Sequence, residues 1–356
     1  MLSNNKPSRY VSIIMPCRNE EKHISACLDS VLSNDYPKGL LEIIVIDGTS
    51  DDSTRELVDE YIRKHPFIRL LHNPDKITPK GLNIGITNAK GDIIMRMDVH
   101  SRYCSNYIST LVHYLDELNC DNVGGMWITK PSGTNIIARA IAVATSLPFG
   151  IGDAWYRIGE NRIRQVDTVP YGCYRKKVFK EIGYFDEDLI RNQDDEFNAR
   201  LIKNGGKIYL IPEARIEYYA RESLNEIIKM FYQYGFYKPL VNIKVGKPAT
   251  IRQLIPPLFV LYLLSILVSL FFKLYLFPYT LTILAIYFIL NILNSLVTAI
   301  KEKDIKLALV LPIIFCSIHL SYGFGYIAGL VYHPIPRVLK RNNIDSPHDN
   351  RSRKSN

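Results

Sequence analysis

The chain has 356 residues, a formal net charge of +9 and 47% hydrophobic residues. That length holds one domain of about 200–250 residues with something added. A surplus of Lys and Arg suits nucleic acid or a lipid surface, but no nucleic-acid-binding module accompanies it, so nucleic acid is excluded as an expected partner. The cysteines at 17, 27, 104, 120, 173 and 316 form no CxxC pair and no Cys/His metal spacing. A disulfide framework and a structural zinc are thereby excluded, and reduced thiols are expected.

In chain order, the β-branched apolar run 11–15 ends at Pro16 and reads as a buried strand. Ile24, Cys27, Leu28, Val31 and Leu32 then recur at helical spacing. Residues 41–46 form a second apolar run, closed by the polar stretch 47–54. A helix over 54–64, a strand over 68–71, a helical stretch over 79–89 and a strand over 92–97 follow. Alternation at this spacing predicts an α/β, Rossmann-like, mostly parallel sheet with helices on both faces. Such sheets bind ligands beyond the carboxyl ends of their strands. Three polar clusters fall at those ends: 16–20, 47–54 and 98–100.

The first cluster, Pro16-Cys17-Arg18-Asn19-Glu20-Glu21, and the second, 47–54, together suit a nucleoside, because carboxylates accept hydrogen bonds from ribose hydroxyls or a base N–H. Helix capping by Asn19 and Asp52 is the competing account of either alone. In the third, Arg96-Met97-Asp98-Val99-His100, the period-two alternation of a strand puts Asp98 and His100 on one side. A carboxylate and an imidazole there suit Mn²⁺ or Mg²⁺, with diphosphate oxygens and water completing the shell; a simple turn is the plainer account. The fourth cluster, Gln193-Asp194-Asp195-Glu196-Phe197-Asn198-Ala199-Arg200, opens a helix. Acids there are favoured by the macrodipole, and one positioned carboxylate would also serve as general base toward a hydroxyl, its pKa raised by like-charge crowding.

The runs VSIIMPCRNEE, IVIDGTSDDST, KGLNIGI, RMDVH and QDDEFNARL, in that order, resemble the family 2 glycosyltransferases of the GT-A fold over about residues 9–240. The segments IARAIAVATSLPFGIGDAWYR and VPYGCYRKKVFKEIGYFDEDL are similar more narrowly to the succinoglycan-type branch, which extends polyprenyl-linked oligosaccharides. This resemblance implies inversion at the anomeric carbon, a nucleotide-diphosphate sugar (a UDP-sugar) as donor and a divalent cation as cofactor. By motif, Pro16, Arg18 and Glu20 would line the nucleotide pocket, Asp47 would hold the base or ribose, and Lys80 would lie near the nucleotide. Asp98 with His100 would match the metal motif and Asp98 would also face the donor. Asp194 would be the catalytic aspartate, and Gly172, Cys173 and Arg200 would lie on the acceptor side. His100 stands where many relatives carry Asp, and Gln193 where they carry Glu, so both Asp194 and Asp195 remain candidates for the base. Gln233-Tyr234-Gly235-Phe236-Tyr237 lacks the Arg and Trp of processive synthases, which points to single addition.

Composition changes near residue 250. From Leu254 to Ile300 the only charge is Lys273, and 307–332 carries none. A bilayer core takes about 20 apolar residues per helix, so spans are expected over 255–276, 279–299 and 307–331. Cations from Arg221 to Arg252 interleave with tyrosines and phenylalanines, as the headgroup layer favours; an ordinary solvated surface with some buried aromatics is the plainer account. The expected organisation is a catalytic domain over 1–250, two to three transmembrane helices over 251–335 and a basic, disordered tail over 336–356. No apolar run precedes Val11, so no signal peptide is expected and the domain should face the cytosol from a multi-pass anchor in the cell membrane. Three full spans would put the tail outside, against the positive-inside tendency. Pro312, His319, Gly323, Gly325 and Gly329 make the last segment polar enough to offer one way out, as a broken or re-entrant helix or one packed on protein, beside a simple third span. His319 there is either a contact to lipid phosphate or a neutral packing residue.

The expected activity is non-processive transfer of a sugar to a lipid-linked acceptor in glycan assembly. A polyprenyl-phosphate sugar synthase and a non-catalytic membrane scaffold or transport subunit are the alternatives.

Overall fold

The computed structural model describes residues 9–248, 250–272 and 277–333; the expected tail and residues 273–276 of the first span lie outside that description. The N-terminal half runs β1 (Val11–Cys17), α1 (Ile24–Leu32), β2 (Leu41–Asp47), α2 (Thr54–Lys64), β3 (Ile68–His72), α3 (Thr78–Thr87), β4 (Ile93–Arg96), β5 (Ser101–Tyr103) and α4 (Tyr107–Glu117). Then come β6 (Asn122–Pro131), α5 (Ile136–Ala144), two single turns α6 (Pro148–Ile151) and α7 (Trp155–Ile158), β7 (Arg164–Gln165), β8 (Cys173–Arg175) and α8 (Lys177–Ile182). The chain continues through α9 (Gln193–Lys203), β9 (Ile208–Ala220), α10 (Leu224–Val245), α11 (Ile255–Phe271), α12 (Phe277–Lys301) and α13 (Leu307–Tyr332).

All nine strands join one sheet in the order β3-β2-β1-β4-β8-β6-β9-β5, with β7 on β9. β1, β2, β3 and β4 pair in parallel. The near-continuous apolar sequences of β1, β2 and β4 fit strands covered by helices on both faces, and every residue of β2 is buried. Beyond β4 the sheet turns mixed: β8 enters antiparallel to β4 and β6, whereas β6 and β9 are parallel. The parallel expectation therefore holds for the half that the sequence alternation covers. β8, three residues long, is too short to carry a periodic signal. Close helix–sheet packing needs Gly85 of α3, where a Cβ would fall 2.5 Å from Ile14 and 2.8 Å from Ile46.

Three helices are long and apolar enough to cross a membrane: 252–271, 281–301 and 307–332. They are not equivalent. α13 is a continuous helix packed along α10, backbone against backbone: a Cβ on Gly235 would meet the Tyr322 carbonyl, one on Gly325 the Tyr232 carbonyl and one on Gly329 the Phe236 carbonyl. His319 is satisfied within the protein, with Nε2 2.8 Å from the Phe149 carbonyl and Nδ1 3.0 Å from the Tyr287 hydroxyl. A carbonyl only accepts, so Nε2 carries a proton toward Phe149; held on both nitrogens by protein groups, this is the packing histidine of the two readings.

Candidate active site

The ends of β1 and β2 are tied into one polar platform. The backbone N–H of Asn19 donates to Ser50 Oγ at 2.9 Å, that of Glu20 to Thr54 Oγ1 at 2.8 Å and that of Glu21 to Asp52 at 3.2 Å. In return Asn19 accepts from the Asp51 N–H and Glu21 from that of Ser53. Asn19 and Thr49 adopt left-handed backbone, φ 55° and 60°, which turns both loops sharply at the strand ends. Asp47 is buried and accepts from the Ser50 N–H at 3.1 Å, holding the second loop from beneath.

Opposite this platform, Arg96 at the end of β4 is buried and clamps two carboxylates. Its Nε and Nη2 donate to the two oxygens of Asp98 at 2.7 and 2.8 Å, and Nη1 donates to Asp194 at 2.5 Å. Asp194 lies deep in the molecule yet keeps 30% of its side chain open to a large cavity. Burial, the largest influence, raises its carboxyl above the ordinary range; Arg96 opposes this, and Asp98 and Asp195 add to the rise. Asp195, next along α9, instead pairs with Lys238 of α10 at 2.6 Å. Crowding of like charges, expected to tune the base, thus acts behind desolvation.

Near the platform, Glu20, His23 and His100 each bring a ligand atom within 4.8 Å of the others. His100 Nε2 lies 2.8 Å from Glu20 Oε1, and Glu20 Oε2 is buried without a partner. An orphaned carboxylate oxygen beside two imidazoles fits a divalent cation, and the N/O donor set suits Mn²⁺ better than Mg²⁺, which prefers oxygen. Burial and then His100 hold the His23 imidazole below its ordinary pKa, in the neutral form that ligates metal. Asp98 does not belong to this group: its carboxylate faces Arg96.

A cavity of about 1120 Å³ joins these parts. Pro16, Arg18, Glu20, Asp98, His100, Asp194 and Asp195 all line it. Asp47, Lys80, Gly172, Cys173 and Arg200 do not. Lys80 pairs with Asp75 at 2.8 Å and Glu187 at 3.9 Å. Arg200 grips Glu196 and the carbonyls of Ile182 and Tyr184. Gly172 packs where a Cβ would strike the Tyr174 ring, and Cys173 is fully buried in the core. From the same segment, Asp167 and Tyr171 do reach the cavity. Burial raises the Asp167 carboxyl, against the pull of Arg252 at 2.9 Å. The far wall belongs to the apolar helices, through Phe259, Tyr287, His319 and Tyr322.

Sequence reasoning missed Arg96 and Arg157 as site residues. Arg96 precedes Asp98 by two, so the alternation that singles out Asp98 and His100 covers it equally. Arg157 follows Trp155 and Tyr156 in a segment whose one signal is its resemblance to the succinoglycan-type branch.

A mixed nine-stranded sheet flanked by helices, with its cavity at the strand ends, is the GT-A architecture. The chain belongs to the family 2 glycosyltransferases, whose profile, Glycosyl transferase family 2, matches residues 12–183. It is 34% identical over 330 residues, 90% of this chain and 97% of the relative, to the dolichyl N-acetyl-α-D-glucosaminyl phosphate 3-β-D-2,3-diacetamido-2,3-dideoxy-β-D-glucuronosyltransferase of Methanococcus voltae. It is also 26% identical over 258 residues, 72% of this chain and 77% of the relative, to the succinoglycan biosynthesis protein ExoA of Rhizobium meliloti strain 1021. Among solved structures, the mannosyltransferase PcManGT of Pyrobaculum calidifontis, in complex with GDP-Man and Mn²⁺, superposes with a TM-score of 0.58 at 15% identity, covering 92% of this chain and 88% of that one. That likeness is one of fold.

Proposed function

We propose that this glycosyltransferase moves one sugar from a nucleotide-diphosphate donor, expected to be a UDP-sugar, to a lipid-linked saccharide with inversion at the anomeric carbon. One observation carries the reading: a single cavity runs from the β1–β2 platform past Asp98 and Asp194 to a wall of apolar helices. A soluble donor and a membrane-held acceptor thus reach the same carboxylates. The relative from Methanococcus voltae is named for a dolichyl-phosphate-linked acceptor, which agrees with this arrangement.

Asp194 accepts the proton of the acceptor hydroxyl as its oxygen attacks the anomeric carbon. The diphosphate leaves from the opposite face, so one displacement inverts the centre. Arg96 holds Asp194 in place and keeps Asp98 facing the donor side. Glu20, His23 and His100 would hold the divalent ion, whose chemistry here is to neutralise charge on the departing diphosphate. Arg18 and Lys76, cavity-lining cations with no ion pair among the described residues, favour the same anion.

For the anchor, we take α11 and α12 as a hairpin through the bilayer and α13 as a helix lying along the catalytic domain. Both ends of α13 touch that domain. At its start, Asp304 pairs with Arg139 of α5 at 2.8 Å; at its end, Tyr332 and His333 pack on Phe236 of α10. Leu309, Ile313, Phe324 and Val331 are exposed along the outer face of α13, which suits lipid. Two crossings return the chain to the side it left, removing the charge conflict that three would create.

The test is nucleoside-diphosphate release by the protein in lipid nanodiscs, over a panel of nucleotide sugars with and without Mn²⁺ or Mg²⁺. Release from one donor that requires metal and acceptor lipid, and that Asp194→Asn loses, establishes the reading. No release from any donor, even with membrane lipid extract present, refutes it.

A further inference from the structure

Several buried or half-buried arginines of this molecule face a carboxylate: Arg96 has Asp98 and Asp194, Arg175 has Asp116, and Arg252 has Asp153 and Asp167. Arg157, on α7, has none among the described residues, although only 8% of it is exposed. Its guanidinium lies 4.3 Å over the Trp127 ring and 5.5 and 5.6 Å from the rings of Tyr156 and Tyr218. Nε makes one long contact, 3.3 Å to the Tyr156 hydroxyl, and Nη1 is buried without a partner. Trp127 stacks on Tyr218 at 3.9 Å, and its indole Nε1 is likewise buried and unpartnered. Both side chains line the cavity.

Two orphan donors, one of them cationic, in a pocket walled by aromatic rings form an unusual set. A desolvated guanidinium without a counter-ion is among the costliest arrangements in a protein, and the ring faces recover only part of that cost. The set contains donors and no carboxylate, so its complement is a group that only accepts: an oxyanion. Cation–π stacking fixes the plane of the guanidinium, so an anion entering this pocket would meet its edge, the side suited to a forked contact. The surrounding residues come from β6, α7 and β9, not from the loops after β1 and β2, so the site is separate from the platform given to the nucleotide.

We propose that Arg157 and Trp127 form an oxyanion subsite that takes a second anionic group of the substrates, apart from the nucleotide diphosphate. Its chemistry admits two sources: a carboxylate on the transferred sugar, or the phosphate that joins sugar to lipid in the acceptor. The inference rests on the transferase reading above.

Two matched pairs of probes separate the sources, with binding measured by calorimetry on the full chain in nanodiscs. One pair is UDP-glucuronate and UDP-glucose; the other is farnesyl-phosphoryl N-acetylglucosamine and the farnesyl glycoside without phosphate. The wild type is expected to favour the anionic member of one pair by about tenfold or more, the worth of a charge-assisted contact. Arg157→Gln should erase that preference while leaving affinity for UDP unchanged, and Arg157→Lys, which keeps charge without the fork, should retain part of it. A donor-pair response assigns the carboxylate, and an acceptor-pair response assigns the phosphate. No preference in either pair, or a preference that survives Arg157→Gln, overturns the proposal. Should Arg157→Gln fail to fold, Trp127→Phe, which keeps a ring and removes the indole donor, must lower the wild-type preference, and an unchanged preference overturns the proposal equally. A wild type that binds no nucleotide would count against the transferase reading itself, whereas nucleotide binding without anion preference sinks only the subsite.

Discussion

Asp194→Asn and Asp195→Asn separate the two candidate bases, because the structure gives each carboxylate a different neighbour. Asp194 shares Arg96 with Asp98, and Asp98 alone retains two hydrogen bonds to that guanidinium at 2.7 and 2.8 Å. Asparagine at 194 still offers Arg96 an oxygen acceptor, so the fold and the donor side should survive. What goes is the proton acceptor, worth about 10²–10⁴ in rate, or roughly 3–5.5 kcal/mol of transition-state free energy. Asp195→Asn weakens a contact to Lys238 at the cavity wall and should cost less than about tenfold. The assay is single-turnover product formation at saturating donor, with nucleotide affinity measured alongside. The pH profile supplies a second signature. Burial keeps the Asp194 carboxyl above its ordinary range, so kcat/KM should rise with pH through that raised pKa as the base loses its proton, and Asp194→Asn should flatten the limb. If Asp195→Asn abolishes turnover while Asp194→Asn spares it, the assignment from burial and Arg96 is wrong.

Direct Mn²⁺ binding to the free protein, followed by electron paramagnetic resonance, should weaken at least about tenfold in Glu20→Gln, which removes the orphaned carboxylate charge. Asp98→Asn should change it little, since Arg96 already holds Asp98; equal losses would return the ion to Asp98. Acidification should release the ion as the His23 imidazole, held below its ordinary pKa by burial, takes up a proton, a step visible in the same spectrum. Lys303→Cys, between α12 and α13, should react with an impermeant maleimide only from the catalytic-domain face; labelling from the other side would mean that the loop crosses the bilayer. Gly325→Val should destabilise by about 2–4 kcal/mol, because its Cβ would fall 2.2 Å from the Tyr232 carbonyl, while Gly39→Ala, with open space, should stay within about 0.5 kcal/mol by thermal unfolding.

What could be read in advance follows from the range of each signal. β1, β2 and β4 announce themselves because both faces are covered, so their apolar runs are nearly unbroken, whereas β3 at the sheet edge is only half-buried. Strand ends then place Pro16, Glu20 and Asp98 beside a cavity without any knowledge of tertiary contacts. Long-range pairing is illegible by the same logic. Nothing local says that His100 turns toward Glu20 and His23, eighty and seventy-seven positions earlier in the chain, rather than toward Asp98 two positions away. The Arg96–Asp194 contact, which bridges β4 to α9, is hidden for the same reason. The glycines of the last helix look like interruptions in one dimension; they become a packing surface only when α10 lies against them.

That packing surface also bears on how the enzyme reaches its acceptor. Gly235 on α10 sits against the backbone of Tyr322 on α13, and Lys238, one turn further along α10, holds Asp195. Tyr322 and Lys238 both face the cavity. A larger residue at Gly235, Gly325 or Gly329 would push two helix backbones apart by the width of a side chain. Lys238 would be carried away from Asp195, and the seam between the polar half of the cavity and its apolar wall would open to water. The distance between α10 and α13 therefore sets both the electrostatics beside Asp194 and Asp195 and the closure of the cavity against its apolar wall. A Gly325→Val protein that still folds should lose turnover on a lipid-linked acceptor far more than affinity for the nucleotide, since the platform after β1 and β2 does not touch either helix's glycines. Equal losses in both would show that the two halves of the cavity are coupled more tightly than these contacts imply.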